Sequence, residues 1–165
     1  MVLLGWAVGK GSTVVDDWFQ SFHDSPARWL LFLTDARVLA LVVIPSVAVA
    51  VSRRRWHLAA AVVLAPVVAI VLARVLKPLF GRTKEGALAY PSGHTTTMVV
   101  VIGMVVLVAG GALWAVLAAV GWCLLGMLGQ AVNYHYFTDT VGAALLGTSI
   151  VCVAALILGR APHRT

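Results

Sequence analysis

Long apolar runs separated by short polar breaks make up most of this chain, and their lengths predict helices that cross a membrane. About 20 residues span a hydrocarbon core roughly 30 Å thick. The runs Trp29 to Val51, His57 to Leu76, His94 to Ala109, Ala112 to Asn133 and Thr140 to Leu158 approach or reach that length, which predicts five spans. The breaks between them are Arg53-Arg54-Arg55, the polar stretch Lys77 to Gly93, the pair Gly110-Gly111 and the corner Tyr134 to Asp139. Asp35 and Arg37 fall near the start of the first run, where they are expected to pair or to snorkel toward the interface. Pro66 is placed to kink the second. Residues 1–27 are mixed. Within them, Val14 to Phe22 is too short and polar to span and reads as an interfacial amphipathic helix, with Trp18 and Phe22 in the headgroup zone, or as a partly ordered tail. Asp16 and Asp17 argue against a secretory signal there. The expected architecture is all-α: one integral membrane helical bundle over residues 1–165, with an N-terminal interfacial segment 1–27, a helical core 28–159 and a tail 160–165.

Composition strengthens the membrane reading. The chain is 61% hydrophobic and only 11% charged, against about 25% charged residues in a soluble domain; its mean hydropathy is +0.98. The net charge of +6 would suggest nucleic acid in a soluble protein. Here the basic residues sit in small clusters beside apolar runs, so membrane lipids are the expected partners and nucleic acid is not. Cys123 and Cys152 lie in apolar runs and form no CxxC motif, which suits small buried hydrophobes. With five spans, Arg53, Arg54 and Arg55 share one face of the membrane with Arg160 and Arg164, and the positive-inside rule makes that face cytoplasmic. The loop 77–93, the corner 134–139 and the N-terminus then face outward. Lys77, Arg82 and Lys84 on that outer side are set apart from the count as candidate ligands.

Two polar islands carry the candidate chemistry. The first reads Tyr90-Pro91-Ser92-Gly93-His94-Thr95. Proline and glycine mark a turn, and serine beside a helix start is a natural cap. A helix N-terminus presents free N–H groups and partial positive charge to an anion, so the Ser92 hydroxyl and Gly93 N–H are placed to hold phosphate oxygens. His94 is suited to protonate a leaving oxygen. The second island puts His135 and Asp139 four residues apart. If helical, they share a face, and Asp139 can fix the His135 tautomer so that the free ring nitrogen acts as nucleophile or base. An even number of spans separates the islands, so both lie on one membrane face. Lys77, Arg82 and Lys84 precede the first island and can neutralise a phosphate and its transition state. Taken singly, each feature also has a plain reading: interfacial histidines facing headgroups, and lysines and arginines on a solvated loop.

Together these elements resemble the type 2 phosphatidic acid phosphatase superfamily, membrane lipid phosphatases that share a core with vanadium haloperoxidases. That family carries Lys-x6-Arg-Pro, then Pro-Ser-Gly-His, then Ser-Arg-x5-His-x3-Asp. Pro91-Ser92-Gly93-His94 matches in full, His135 and Asp139 match the end of the third motif, and Lys77 matches the start of the first. The resemblance covers Leu76 to Gly147. It departs where Lys84 and Glu85 stand for the first-motif arginine and proline, and where Leu128 and Gly129 stand for the third-motif serine and arginine. That arginine normally grips phosphate, and a lysine replaces its bidentate contact only as a point charge. Arg82, or the amides of Gln130 and Asn133, are candidate substitutes.

The resemblance implies that His135 attacks phosphorus to form a phosphohistidine, that Asp139 orients it, and that His94 protonates the leaving group and then activates water. Lys77, Arg82, Lys84, Ser92 and the Gly93 N–H would hold the phosphate, with no metal or other cofactor. Within the family the chain resembles small bacterial members that act on polyprenyl-linked or glycerolipid phosphates. The favoured substrate is a lipid-linked sugar phosphate such as decaprenylphosphoryl-5-phosphoribose, in arabinan precursor synthesis for the cell wall. A polyprenyl diphosphate and phosphatidylglycerophosphate are the alternatives. Two other classes compete: a non-catalytic lipid-binding scaffold, motivated by Gly129, and a metal-dependent enzyme liganded by His94, His135 and Asp139.

Overall fold

The computed structural model describes residues 1–23 and 25–160. Two short helices, α1 (Val2–Ala7) and α2 (Val14–Gln20), and a 3-10 helix (Pro26–Thr34) lead into five longer helices. These are α3 (Ala36–Ser52), α4 (Trp56–Phe80), α5 (Gly93–Val108), α6 (Leu113–Asn133) and α7 (Phe137–Arg160). A minimal antiparallel hairpin, β1 (Thr83–Lys84) and β2 (Ala87–Leu88), sits in the loop between α4 and α5. Arg164 lies outside the described residues.

The bundle is organised around α5, which packs against α3, α4, α6 and α7. Its sequence explains this: after the first turn it is apolar on every side, and a helix apolar all round belongs in a core. Met98, Val100 and Met104 are fully buried. Val100, Met104 and Val108 cluster with Leu58, Ala59, Val62, Ala65 and Ala69 of α4, whose alanines allow close helix approach. The outer faces keep large apolar side chains exposed, among them Leu64, Val67 and Val71 on α4, Leu117 and Leu124 on α6, and Leu156 on α7. Such a surface suits lipid rather than water.

Helices α4, α6 and α7 are each long and apolar enough to span, and the 3-10 helix with α3 forms a fourth candidate bent by 42°. Helix α5 has 16 residues, about 24 Å at 1.5 Å per residue, which is shorter than the hydrocarbon core. Protein surrounds it, so its length need not match the bilayer. The protein is a multi-pass membrane protein, and the five expected runs correspond to its five long helices.

Three boundaries differ from expectation for local reasons. The first apolar run breaks at Asp35, whose carboxylate accepts the Arg37 N–H at 2.8 Å and caps α3 instead of snorkelling. Helix α4 continues past Pro66 and Pro78 to Phe80 and stops at Gly81, whose φ of +60° is the left-handed cap conformation. Helix α7 starts at Phe137 rather than Thr140. The N-terminal segment holds two short helices. Trp18 and Phe22 are exposed, but Asp16 is fully buried, and its partners lie in the site.

Candidate active site

The two islands meet at one end of the bundle. Ser92 caps α5, its Oγ accepting the Thr95 N–H at 3.4 Å, and its own N–H donates to the Asp139 carbonyl at 3.3 Å. This backbone link ties the first island to the second. The rings of His94 and His135 lie close, with centroids 6.4 Å apart and planes tilted by 57°. Between them and the faces of α3 and α4 opens a cavity of about 660 Å³. Its polar end is formed by Lys77, Gly93, His94 and His135, and Leu39, Val43, Val63, Pro66 and Ile70 line its apolar part. Lys77 Nζ donates to the Leu88 carbonyl at 2.6 Å, which anchors the ammonium beside the cavity.

His135 is not on a helix. It occupies the corner between α6 and α7, held by its N–H to the Gln130 carbonyl at 2.9 Å. Asp139 lies in the first turn of α7, where the helix dipole favours a carboxylate. Its Oδ2 reaches back to the Tyr136 N–H at 3.1 Å, the reciprocal contact of a capping box. The same oxygen stands 3.8 Å from His135 Nδ1. That nitrogen is buried with no hydrogen-bond partner, so the pair is close but not hydrogen-bonded.

Arg82 and Lys84 do not line the cavity. Arg82 is fully buried and uses all five of its N–H donors. Nε and Nη2 donate to the Gly11 carbonyl at 3.1 and 2.8 Å, Nη2 to Asp16 at 2.6 Å, and Nη1 to Asp139 at 2.9 Å and to the Thr138 hydroxyl. Its guanidinium also lies 4.5 Å from the centre of the Tyr136 ring. The arginine expected at the phosphate is thus the centre of a structural clamp, placed directly behind the Asp139 carboxylate. Lys84 Nζ donates to Gln20 Oε1 at 2.6 Å and to the Asn133 carbonyl at 3.4 Å. Burial lowers its pKa, against the opposing pull of Glu85, Asp139 and Asp16. Ser92 is fully buried in its capping role, and only Gly93 of that pair lines the cavity.

The other half of the clamp comes from α2. Asp16 accepts the Thr138 N–H at 2.9 Å and the Thr138 hydroxyl at 3.0 Å, besides Arg82. Burial pushes its carboxyl upward, but the hydrogen bonds from Thr138, Thr13 and Arg82 outweigh this and hold it below the ordinary carboxylate value. Phe19 stacks on Phe137 at 4.3 Å, and Gln20 Nε2 donates to the His135 carbonyl at 3.1 Å. Helix α2 is therefore a strap over the histidine corner. Buried Tyr90 packs its ring against Phe80 and Gly142 of α7, and its hydroxyl donates to the Met1 carbonyl at 2.6 Å; burial pushes its pKa up to about 12.

The structure also accounts for Gly129. A Cβ there would lie 2.9 Å from the Leu30 backbone, because the 3-10 helix packs directly on α6 at this point. The space an arginine would need is occupied by protein. The Gln130 amide donates to Thr34 Oγ1 at 2.6 Å and the Asn133 amide to the Gly129 carbonyl at 2.9 Å, so neither substitutes at the cavity. Sequence reasoning missed Arg74, which lines the cavity beside Lys77. Their spacing of three on a helix put them on one face, a signal present in the sequence. Among the described residues, no three His, Cys, Asp or Glu side chains are arranged to hold a metal ion.

A bundle of apolar helices with paired histidines and cations at one end of a largely apolar cavity defines a membrane protein suited to binding a phosphorylated lipid. The chain belongs to the PAP2 superfamily, whose profile matches residues 77–162. Its fold is similar to that of a transmembrane PAP2 type phosphatidylglycerolphosphate phosphatase from Bacillus subtilis, with a TM-score of 0.79 at 16% identity, covering 99% of this chain and 94% of that one. No curated protein matches the chain by sequence.

Proposed function

We propose that this protein is a membrane lipid phosphatase that hydrolyses a terminal phosphate through a phosphohistidine. The carrying observation is the close His94–His135 pair, beside Lys77 and Gly93, at the polar end of a largely apolar cavity. A phosphate seated there has its lipid chain along α3 and α4. With His135 Nδ1 toward Asp139, the other ring nitrogen, Nε2, attacks phosphorus as the ester oxygen leaves with a proton from His94. Water then attacks the phosphohistidine, His94 takes its proton, and inorganic phosphate departs. Lys77 and the N-terminus of α5 hold the phosphoryl oxygens. Arg82 acts one layer back, holding the Asp139 carboxylate in place.

The favoured substrate remains a polyprenyl-linked sugar phosphate such as decaprenylphosphoryl-5-phosphoribose, with phosphatidylglycerophosphate and polyprenyl diphosphate as alternatives. The site faces the exterior of a bacterial plasma membrane, since Arg53, Arg54 and Arg55 lie at the opposite end of the bundle and mark the cytoplasmic side. Phosphate release from a panel of lipid monophosphates and diphosphates, by purified native protein and by His135→Ala, tests the reading. The blocked arginine position at Gly129 favours one competitor, a non-catalytic lipid-binding member. Absence of release by the native protein on every substrate would establish that competitor instead.

A further inference from the structure

The cavity holds a cation that the hydrolysis above does not use. Arg74 lies on α4, three residues before Lys77, and lines the same cavity as His94 and His135. Three residues of helix place it about 4.5 Å deeper along the axis than Lys77, on the side of the apolar lining residues Val63, Pro66 and Ile70. Arg74 is exposed rather than packed away, and an arginine within a membrane-spanning helix generally marks a ligand pathway. Its neighbours do not explain it: among the described residues Arg74 makes no ion pair, since those found are Arg82 with Asp16, Arg82 with Asp139 and His135 with Asp139. Along the cavity face of α4 the order is therefore apolar at Val63, Pro66 and Ile70, then guanidinium at Arg74, then ammonium at Lys77, then the histidines.

From that order we infer that Arg74 binds a second anionic group of the substrate, between its lipid chain and its terminal phosphate. The inference rests on the lipid phosphatase reading and narrows it. The ligand class is a lipid bearing two phosphates, an inner phosphodiester or diphosphate phosphate at Arg74 and a terminal phosphate at Lys77 and the histidines. A lipid with one phosphate fills only the outer position. The fork of guanidinium donors suits a phosphodiester, which offers two free oxygens for bidentate contact.

Equilibrium binding tests this independently of turnover. His135→Ala protein in detergent is titrated with phosphatidylglycerophosphate and with phosphatidic acid of the same chains, and Arg74→Gln and Arg74→Lys are compared in that background. Arg55→Gln, at the far end of α4, serves as the charge-removal control. Arg74 is expected to favour the two-phosphate lipid about ten- to hundredfold, the usual range for a charge-assisted hydrogen-bonded contact. Arg74→Gln is expected to bring the ratio of the two affinities toward one, Arg74→Lys to retain part of it, and Arg55→Gln to leave it as it was. Thermal unfolding of each variant checks that the fold is intact. An affinity ratio that Arg74→Gln does not change overturns the inference, whether both affinities fall together or neither falls. The catalytic reading fails by a different result, absence of phosphate release by the native protein.

Discussion

Replacing Arg82 with methionine distinguishes a structural clamp from a phosphate ligand. Methionine keeps much of the side-chain volume but removes five hydrogen bonds and the positive charge between two carboxylates, Asp16 and Asp139. All three groups have no solvent exposure. Removing one partner of a buried ion pair leaves the other charge uncompensated and costs about 3–5 kcal/mol. In a chain of this size, 1 kcal/mol moves the unfolding midpoint by roughly 2–4 °C, so Arg82→Met is expected to lower it by about 10 °C. Tryptophan fluorescence or light scattering during a thermal ramp in detergent measures this. Because Arg82 and Asp16 act as one unit, Arg82→Met combined with Asp16→Leu should be less destabilised than the sum of the single variants, with a coupling of about 0.5–3 kcal/mol. Arg82→Lys keeps the charge but not the fork and should fall between native and Arg82→Met. An unchanged midpoint in Arg82→Met, together with a large rise in KM, would refute the clamp and make Arg82 a phosphate ligand.

Three further outcomes are expected. His135→Ala should abolish phosphate release, while His94→Ala should slow it by about 10²–10⁴-fold, the usual share of a general acid, and recover rate on an aryl phosphate whose leaving group needs no proton; normal turnover in His135→Ala removes the mechanism. Gly129→Arg should destabilise by about 1–3 kcal/mol through overpacking against Leu30 without raising activity, and a stable variant with improved KM would show that the 3-10 helix yields to the side chain. Asp16 has a folded pKa below its ordinary 3.8, so its stabilising contribution is complete above that value and is lost as pH falls through the folded pKa; the native midpoint should therefore drop more steeply than that of Asp16→Asn below about pH 4, and parallel curves would show that the carboxylate charge contributes nothing.

The membrane class, the helix positions and the meeting of the two histidines at one end of the bundle follow from one-dimensional signals. An apolar run long enough to span is limited by bilayer thickness, and Pro91-Ser92-Gly93-His94 carries its turn and helix cap within four consecutive residues. Span counting also placed His94 and His135 on the same face, because chain reversal is a matter of parity. Side-chain direction and long-range pairing have no such local signature. Asp16 reads as a polar residue in an interfacial segment, yet it is buried against Arg82 and Thr138, far along the chain. Arg82 reads as a phosphate ligand by its place near Lys77, yet Asp16, Asp139, Thr138 and the Gly11 carbonyl together take every donor it has. Gly129 reads as a lost arginine, and only the packing of the 3-10 helix on α6 shows why that side chain has no room. Burial and charge balance among residues distant in sequence decided these contacts, since a buried guanidinium must be neutralised by whichever carboxylates the fold brings to it.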